Sequence, residues 1–393
     1  MKDPVAVEPF TIAVDEAVLS DLRDRIRRTC WPDRTGGSGW DAGADPGYLR
    51  SLLATWADGF DWRQRERELN RLAHHRASID GRWVHFVHER GNGPAPLPIV
   101  LTHGFPSSFL EHLDLLPLLT DPAAHGGHAE DAFDVVVASL PGYGFSDPPA
   151  GPMLETTVAD TWSRLMGEGL GYARFGAHGS DVGAGVTTQL GLRHPERLVG
   201  IHQSAFYLDP PPEPWPPVVR EFIEAQRRER AEDVAYSRMQ STRPRTVAYG
   251  LSDSPAGLAA WVVDLFRSFS DCGGEVESRF TRDQLLTNLT VYWVTGTIGH
   301  AMQGYYDFQH FETAPAPGTR VQVPSGFAVF ADSYRRGSAR PPRELAEHAF
   351  NVTRWTRMPR GGHFAALEEP QLLAEELRAF FRPLRHATQR ARS

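Results

Sequence analysis

The sequence has little of what would indicate a cross-linked, metal-thiolate, nucleic-acid-binding or membrane-spanning protein. Its 393 residues include only two cysteines, Cys30 and Cys272, too few for a disulfide framework or a thiolate metal site. The formal net charge of −8 argues against nucleic acid as a partner, because a polyanion would be repelled. No apolar run approaches the ~18 to 20 residues of a membrane span, and the first residues carry no apolar signal-peptide core. We therefore expect a soluble, cytoplasmic protein without a membrane partner.

Short apolar runs recur along the chain and alternate with helical patterns. With 41% hydrophobic residues, a chain of this length can bury a substantial core. The runs are typical of buried parallel strands. They cover residues 99–102, 134–138, 198–202, 325–330 and 352–356. The alternation predicts an α/β fold with a doubly wound, mostly parallel sheet.

Two helical regions stand outside this alternation. From about residue 9 to 72 the pattern is helical, with Asp15 as N-cap, and we expect this region to wrap around the main domain. A second helical block, interrupting the strands, is expected to form a lid over their carboxyl ends. The predicted units are an N-terminal helical wrap (1–76), a first core part (77–209), a lid (210–312) and a second core part (313–393).

The pattern Gly179-x-Asp181-x-Gly183 follows a predicted strand and opens a predicted helix. It is the glycine-flanked nucleophile elbow of α/β-hydrolases, with aspartate where serine usually stands. The glycines are expected because the reversal leaves no room for a Cβ and can require positive φ. An ionised aspartate can attack carbon without a base and form an alkyl-enzyme ester. Alone, the pattern is better explained as a glycine-rich loop before a helix, so other stretches must decide.

Two other stretches favour a catalytic site. His103-Gly-Phe-Pro106 directly follows a buried strand, where backbone N–H groups can form an oxyanion hole. The order Asp181, an acid after Phe330, then His363 matches nucleophile, acid and histidine in an α/β-hydrolase triad. The elbow, this order and the loop together favour catalysis over a structural explanation. The remaining histidines receive no role, and His74-His75 are interpreted as solvated loop positions.

Seven stretches together form a much more specific pattern. They are His103-Gly-Phe-Pro106, Pro141-Gly-Tyr-Gly-Phe-Ser146, Gly179-Ser-Asp-Val-Gly183, Tyr236-x-x-x-Gln-Ser-Thr-Arg-Pro244, Asp253-Ser-Pro-x-Gly-Leu-Ala-Ala260, Thr290-Val-Tyr-Trp-x-Thr-Gly-Thr297 and Gly361-Gly-His-Phe-Ala-Ala-Leu-Glu-Glu-Pro370. On these stretches the chain resembles the microsomal-type epoxide hydrolase family of α/β-hydrolases, over roughly residues 8 to 383. The resemblance implies a soluble, bacterial-style member that adds water to a small-molecule epoxide, giving a vicinal diol without a cofactor or metal.

The resemblance also implies roles for individual side chains. Asp181 corresponds to the nucleophile, and His363 to the base that activates water to hydrolyse the ester. Tyr236 and Tyr305 correspond to the two lid tyrosines, whose hydroxyls would hydrogen-bond or protonate the epoxide oxygen as the C–O bond breaks. The neighbouring Tyr306 is an alternative to Tyr305 and a candidate substrate contact.

Backbone and pocket residues are carried over in the same way. The N–H groups of Phe105 and Val182 would stabilise the oxyanion formed when water attacks the ester. His103 and Pro106 are further candidate substrate contacts. The family often has tryptophan at the positions of Phe105 and Val182, so the pocket here is expected to be wider or differently shaped.

The acid that should orient His363 departs from the family pattern. In the family, an acid usually stands three residues after the phenylalanine that corresponds to Phe330, and here that position is Ser333. Asp332, one residue earlier, is our first choice, since a small loop adjustment could aim it at His363. Asp209, after the preceding strand, is the second choice.

Two other functions stay open. A dehalogenase would share the aspartate nucleophile and the ester but must hold a halide. An inactive ligand-binding relative would keep the pocket and lose turnover, and Ser333 is the feature that keeps this alternative open. By analogy with the family, the substrate could belong to a natural-product pathway, and a homodimer is left open.

Overall fold

A computed structural model describes residues 3–32, 39–205, 213–232, 235–312, 316, 318–330 and 340–390, apart from the side chains of 229–232 and 386–390. These residues form a single sheet of nine strands. The strands are β1 (Ala6–Pro9), β2 (His74–Ile79), β3 (Arg82–Glu89), β4 (Leu97–Thr102), β5 (Phe133–Ala138), β6 (Phe175–Gly179), β7 (Leu198–Gln203), β8 (Val321–Val329) and β9 (Phe350–Arg357). Their order in the sheet is β1-β2-β3-β5-β4-β6-β7-β8-β9.

The sheet is parallel from β5 to β9 and antiparallel at its other edge. The strand pairs β1–β2, β2–β3 and β3–β5 run antiparallel, and the remaining pairs run parallel. Every residue of β5, β6 and β7 is buried, as expected when helices cover both faces of a parallel sheet. The predicted α/β fold with a mostly parallel sheet is therefore confirmed.

Fifteen α-helices lie within the described ranges. They are α1 (Glu16–Arg27), α2 (Pro46–Ala54), α3 (Trp62–Leu69), α4 (Leu116–Thr120), α5 (Glu155–Arg164), α6 (Val182–Arg193), α7 (Pro217–Glu232), α8 (Ala235–Thr242), α9 (Pro244–Asp253), α10 (Pro255–Phe269), α11 (Arg282–Thr295), α12 (Ile298–Phe311), α13 (Arg343–Ala349), α14 (Ala365–Glu368) and α15 (Pro370–Arg390). No helix of the described chain is both long and apolar enough to cross a membrane.

Helices α7 to α12 stand between β7 and β8 in the chain, and we call them the lid helices. The N-terminal helices α1, α2 and α3 pack against α10 and α11 of this group. The contact includes a buried hydrogen bond of 2.9 Å in which the indole Nε1 of Trp56 donates to the hydroxyl of Thr290. At the surface, ion pairs join Arg25 of α1 to Asp253 of α9, and Arg65 of α3 to Asp283 of α11. The N-terminal helices therefore pack directly against the lid helices.

The N-terminal part of the chain differs from the sequence prediction in two respects. Residues Ala6–Pro9 form a strand that pairs with the edge of β2, although no strand was predicted there. The interpretation of His74 as a solvated loop residue is wrong, because its ring is buried in β2 with Nδ1 2.9 Å from Nε2 of His85. The first difference comes from pairing with β2, which is distant in sequence, and the second comes from the hairpin that β2 forms with β3.

Candidate active site

Asp181 lies at the sharp turn between β6 and α6. Its φ of 48° and ψ of −126° are rare for a residue with a side chain. A Cβ on Gly179 would approach the carbonyl oxygen of Gly183 to 1.9 Å, and one on Gly183 would approach that of Thr102 to 2.0 Å. The flanking glycines are therefore required for space, as predicted, whereas the positive φ belongs to Asp181 itself.

The carboxylate of Asp181 is buried and held by backbone donors. Its Oδ1 accepts a hydrogen bond of 2.9 Å from the N–H of Phe105, and the N–H of Val182 also donates to the carboxylate. Its Oδ2 lies 3.3 Å from Nε2 of His363. Burial raises the pKa of Asp181, but the hydrogen bond and charge of His363, together with the two N–H groups, lower it below its usual value overall. Asp181 is therefore ionised at neutral pH.

His363 is buried on the loop between β9 and α14, and its backbone N–H donates to the carbonyl of Phe269 at 2.9 Å. Burial by itself lowers the pKa of His363. The hydrogen bond to Asp181 and the negative charges of Asp181, Glu111 and Glu368 outweigh burial and raise the pKa. The unreacted site consequently favours an imidazolium next to a carboxylate.

Glu111 is a second buried carboxyl beside the elbow. Its Oε1 accepts a hydrogen bond of 2.7 Å from the hydroxyl of Ser180, the residue before Asp181. Burial raises the pKa of Glu111 to about 7, although the Ser180 hydrogen bond and the charge of His363 act in the opposite direction. No role for Glu111 is predicted from the sequence, since a glutamate in a short helical turn has no local feature that distinguishes it.

A series of aromatic rings, three of them from the lid helices, runs from Phe105 to His363, the two residues that contact the carboxylate of Asp181. The ring of Phe105 lies 5.7 Å from that of Tyr305, which lies 6.0 Å from that of Tyr236. The ring of Tyr236 lies 5.4 Å from that of Phe269, which lies 5.5 Å from the imidazole of His363. The rings thus form a continuous series from one partner of Asp181 to the other, and the two predicted tyrosines are neighbours within it.

The three predicted substrate contacts, His103, Pro106 and Tyr306, do not belong to this series of rings. Both ring nitrogens of His103 are near backbone groups, Nδ1 at 3.2 Å from the carbonyl of Gly104 and Nε2 at 3.3 Å from the N–H of Leu140. Burial lowers the pKa of His103 to about 4, so the ring is neutral and braces the loop. Pro106 is buried beside Phe105. The ring of Tyr306 stacks on His310 at 3.9 Å, and the structure does not bring it to the series that contains Tyr305.

The acids predicted to orient His363 stand in the segments 206–212 and 331–339. Asp332 and the second choice, Asp209, both lie outside the described residues, as does Ser333. Within the ranges that are described, we find no group of three or more His, Cys, Asp or Glu side chains arranged to hold a metal ion.

Glu368 belongs to the site but received no role from the sequence. Its buried carboxylate accepts hydrogen bonds from the N–H groups of Gly362 and Phe364, the residues on either side of His363. Burial raises the pKa of Glu368 to about 7, even though these hydrogen bonds and the charge of Arg279 lower it. Its partners are backbone groups, which no sequence motif identifies.

This arrangement defines the available chemistry. An ionised carboxylate next to a histidine, in a site where a series of rings includes two phenols, can attack an electrophilic carbon while a phenol supplies a proton. The N–H groups that now hold the carboxylate would remain in position for the carbonyl oxygen of an ester at Asp181. The site therefore fits a reaction in two stages, with attack by carboxylate followed by hydrolysis.

Comparison with known proteins gives similarity over nearly the whole chain. A family model described as epoxide hydrolase N terminus matches residues 7–112, and one described as alpha/beta hydrolase fold matches residues 98–236. A protein of Stigmatella aurantiaca (strain DW4/3-1) named "Putative epoxide hydrolase" is 40% identical over 384 residues, which cover 96% of this chain and 86% of that protein. Epoxide hydrolase 1 of Sus scrofa is 30% identical over 409 residues, covering 95% of this chain and 88% of that protein. The crystal structure of juvenile hormone epoxide hydrolase from the silkworm Bombyx mori has a TM-score of 0.86 and 27% identity, covering 98% of this chain and 96% of that chain.

Proposed function

The chain belongs to the epoxide hydrolase family of α/β-hydrolases, and on this premise we propose that it converts an epoxide into a vicinal diol through an alkyl ester on Asp181. It is an enzyme of the class that hydrolyses ether bonds. The observation that carries the mechanism is the position of one buried carboxylate between the N–H of Phe105 and Nε2 of His363. The nucleophile, its oxyanion donors and its base are thus in contact before substrate arrives.

In the first stage, an oxygen of Asp181 attacks an epoxide carbon and the ring C–O bond breaks. The released oxygen becomes an alkoxide unless a proton reaches it. Tyr236 and Tyr305 are the proposed donors, because their neighbouring rings lie in the series that spans the site. The products of this stage are a hydroxyalkyl ester on Asp181 and a tyrosinate.

In the second stage, His363 takes a proton from water, and the hydroxide attacks the ester carbonyl of Asp181. The N–H groups of Phe105 and Val182 hold the resulting oxyanion. When the acyl C–O bond breaks, the diol oxygen receives the proton from His363, and the remaining acid proton returns to the tyrosinate. Alkylation prepares His363 for this step, because the esterified Asp181 has lost the charge that raises the pKa of His363. The imidazolium then releases its proton to solvent before it activates water, and it regains one when the carboxylate is restored.

Several finer predictions are kept as part of the proposal. Asp332 is the proposed orienting acid for His363, with Asp209 as second choice. We propose the division into wrap, core and lid at residues 76, 209 and 312, supported by the position of α7 to α12 between β7 and β8. A cytoplasmic location, a natural-product substrate and a homodimer stay predictions from the sequence.

A single-turnover reaction in ¹⁸O-labelled water tests the covalent mechanism. With enzyme in excess over styrene oxide, the diol should carry unlabelled oxygen, and one label should enter the peptide that contains Asp181. Peptide mass spectrometry locates the label. The variant His363→Gln should accumulate the alkyl-enzyme instead, because attack does not require His363 whereas hydrolysis does.

The same experiment separates the alternatives. Label in the diol and none in the Asp181 peptide would refute the ester and favour direct attack by water. Absence of both adduct and diol across several aryl and alkyl epoxides would favour the ligand-binding alternative. Halide release from a haloalkane together with an ester on Asp181 would favour the dehalogenase.

A further inference from the structure

The carboxylate of Glu368 contacts the loop between β9 and α14 (358–364), which carries His363 and which we call the histidine loop. This carboxylate is positioned to control only one of the two chemical stages. We propose that Glu368 is a positioning residue that fixes His363 for water activation and fastens the histidine loop to the lid helices. This inference rests on the proposed function, because it assigns Glu368 to the ester-hydrolysis stage. Glu368 does not contact the carboxylate of Asp181 in this structure and acts through the backbone on either side of His363.

The first support is the arrangement of the donors around Glu368. The N–H of Gly362 donates to Oε2 at 3.0 Å, and the N–H of Phe364 donates to Oε1 at 3.0 Å. The two donors flank His363 in sequence, so the carboxylate holds the backbone before and after this residue. Rotation of the peptide planes that orient the imidazole would break at least one of these bonds.

The second support is a connection from the same carboxylate to the segment that follows α10. The N–H of Asp271 donates to Oε2 of Glu368 at 2.8 Å. In return, the N–H of Gly361 donates to Oδ2 of Asp271 at 3.0 Å, and the N–H of His363 donates to the carbonyl of Phe269 at 2.9 Å. The histidine loop and the end of α10 are thus joined by hydrogen bonds in both directions, with Glu368 at the centre.

A carboxylate is chemically required at this position. Three N–H groups converge on two oxygens, and an ionised carboxylate has acceptor sites for all of them. A glutamine has one oxygen and an NH₂ group, so at least one buried N–H would face another donor. Glu368 is only 8% exposed, so water cannot readily replace the lost acceptor.

The adjacent Glu369 provides a matched comparison. It is also buried, and its Oε1 accepts from Arg279 and Arg360 at 2.9 and 2.7 Å. It therefore joins the segment between α10 and α11 to the loop that carries His363, but through the side chains of Arg279 and Arg360 and not through the N–H groups that flank His363. Replacing Glu369 tests loss of a buried carboxylate without loss of the backbone brace.

The proposal has a specific kinetic signature. The nucleophile Asp181 reacts without His363, so a displaced imidazole should slow hydrolysis of the ester and leave alkylation unchanged. When ester hydrolysis limits turnover, kcat and KM fall by the same factor, and kcat/KM, which reports alkylation, stays constant. A general loss of folded enzyme would lower kcat at constant KM, and a distorted pocket would lower kcat/KM.

The test compares the wild type with Glu368→Gln and Glu369→Gln, using styrene oxide as the probe. Intact-protein mass spectrometry after rapid quenching gives the rates of ester formation and decay. For Glu368→Gln we expect ester decay to slow by about 10- to 100-fold, because a displacement of ~1 Å at a catalytic group costs on that order. Ester formation should stay within twofold of wild type, and both rates should stay so in Glu369→Gln.

Each outcome decides a separate question. Equal slowing of ester formation and decay in Glu368→Gln, or decay at the wild-type rate, would refute the positioning role. If Glu368→Gln does not fold, Glu368→Asp keeps the charge, retracts the carboxylate by one methylene, and should slow ester decay in the same direction. Absence of any ester in wild type and His363→Gln, with diol formed, would refute the proposed mechanism itself and not only the role of Glu368.

Discussion

The closeness of Gly104 to Asp181, the proposed nucleophile, allows a quantitative prediction. A Cβ added at Gly104 would lie 2.1 Å from Oδ1 of Asp181 and 2.5 Å from its Cγ. Heavy atoms that are not bonded to each other cannot approach so closely, so the carboxylate or the loop must retreat by roughly 1 Å to reach ordinary contact. That displacement separates Oδ1 from the N–H of Phe105, whose hydrogen bond is now 2.9 Å long.

We therefore expect Gly104→Ala to slow alkylation by about 100-fold, since a misplacement of ~1 Å at the reacting group costs on that order. The rate is measured as ester formation under single-turnover conditions with styrene oxide, and near-ultraviolet circular dichroism checks the fold. The control is Gly250→Ala in α9, where an added Cβ meets nothing within 4 Å. It should leave alkylation unchanged and stabilise the helix by up to ~1 kcal/mol.

A folded Gly104→Ala enzyme that alkylates at the wild-type rate would refute the reasoning. Such a result would mean that the carboxylate reacts from a position other than the one seen here. A variant in which both alkylation and ester decay are slow would support it, because the N–H of Phe105 holds Oδ1 in the carboxylate and is proposed to hold the oxyanion in the second stage.

Two further predictions concern the tyrosines and the response to acid. Tyr236→Phe and Tyr305→Phe should each slow ester formation by about 10- to 100-fold, as expected for loss of a hydrogen bond of ~1.5–3 kcal/mol to a charged oxygen. The control is Tyr249→Phe, at an exposed position. Equal rates of ester formation in all three variants would contradict the assignment of the two tyrosines. Although burial raises the pKa of Glu376, hydrogen bonds, including two from the Arg354 guanidinium, lower it to about 2. A lowered carboxyl pKa stabilises the fold at pH values above the usual pKa of 4.5, and this stabilisation is lost as the pH falls towards 2. Glu376→Gln should therefore lower Tm at pH 7 and flatten the fall of Tm between pH 5 and 3. An unchanged slope of Tm against pH would contradict this prediction.

The sequence predicted the core of the sheet and the loops at its carboxyl edge because both depend on local constraints. Strands β5 to β7 are buried on both faces, which produces short, mostly apolar runs. The elbow was recognisable because Gly179 and Gly183 have no room for a side chain. Strand β1 was missed because it has only four residues, two exposed and two half-buried, and forms by pairing with β2.

The unpredicted part of the site depends on contacts between distant segments. Glu368 accepts from Asp271, which is 97 residues away in the chain, and its partners are N–H groups that every residue but proline possesses. The sequence left Tyr305 and Tyr306 as alternatives, because adjacent helical residues point about 100° apart and the sequence does not fix the rotation of the helix. Their ring contacts differ accordingly, with Tyr305 next to Tyr236 and Tyr306 next to His310.

The two oxygens of Asp181 are not equivalent in this site, and the difference gives the proposed reaction a direction. Oδ1 is held by the N–H of Phe105, so attack through this oxygen would have to break a hydrogen bond that the later oxyanion also needs. Oδ2 lies beside Nε2 of His363 and is the oxygen we assign to the attack. The alkyl group would then be attached on the side where the imidazole activates water, and Oδ1 would become the ester carbonyl without moving. One set of backbone donors would thus serve the carboxylate, the ester and the oxyanion in turn, which requires little reorganisation between the stages.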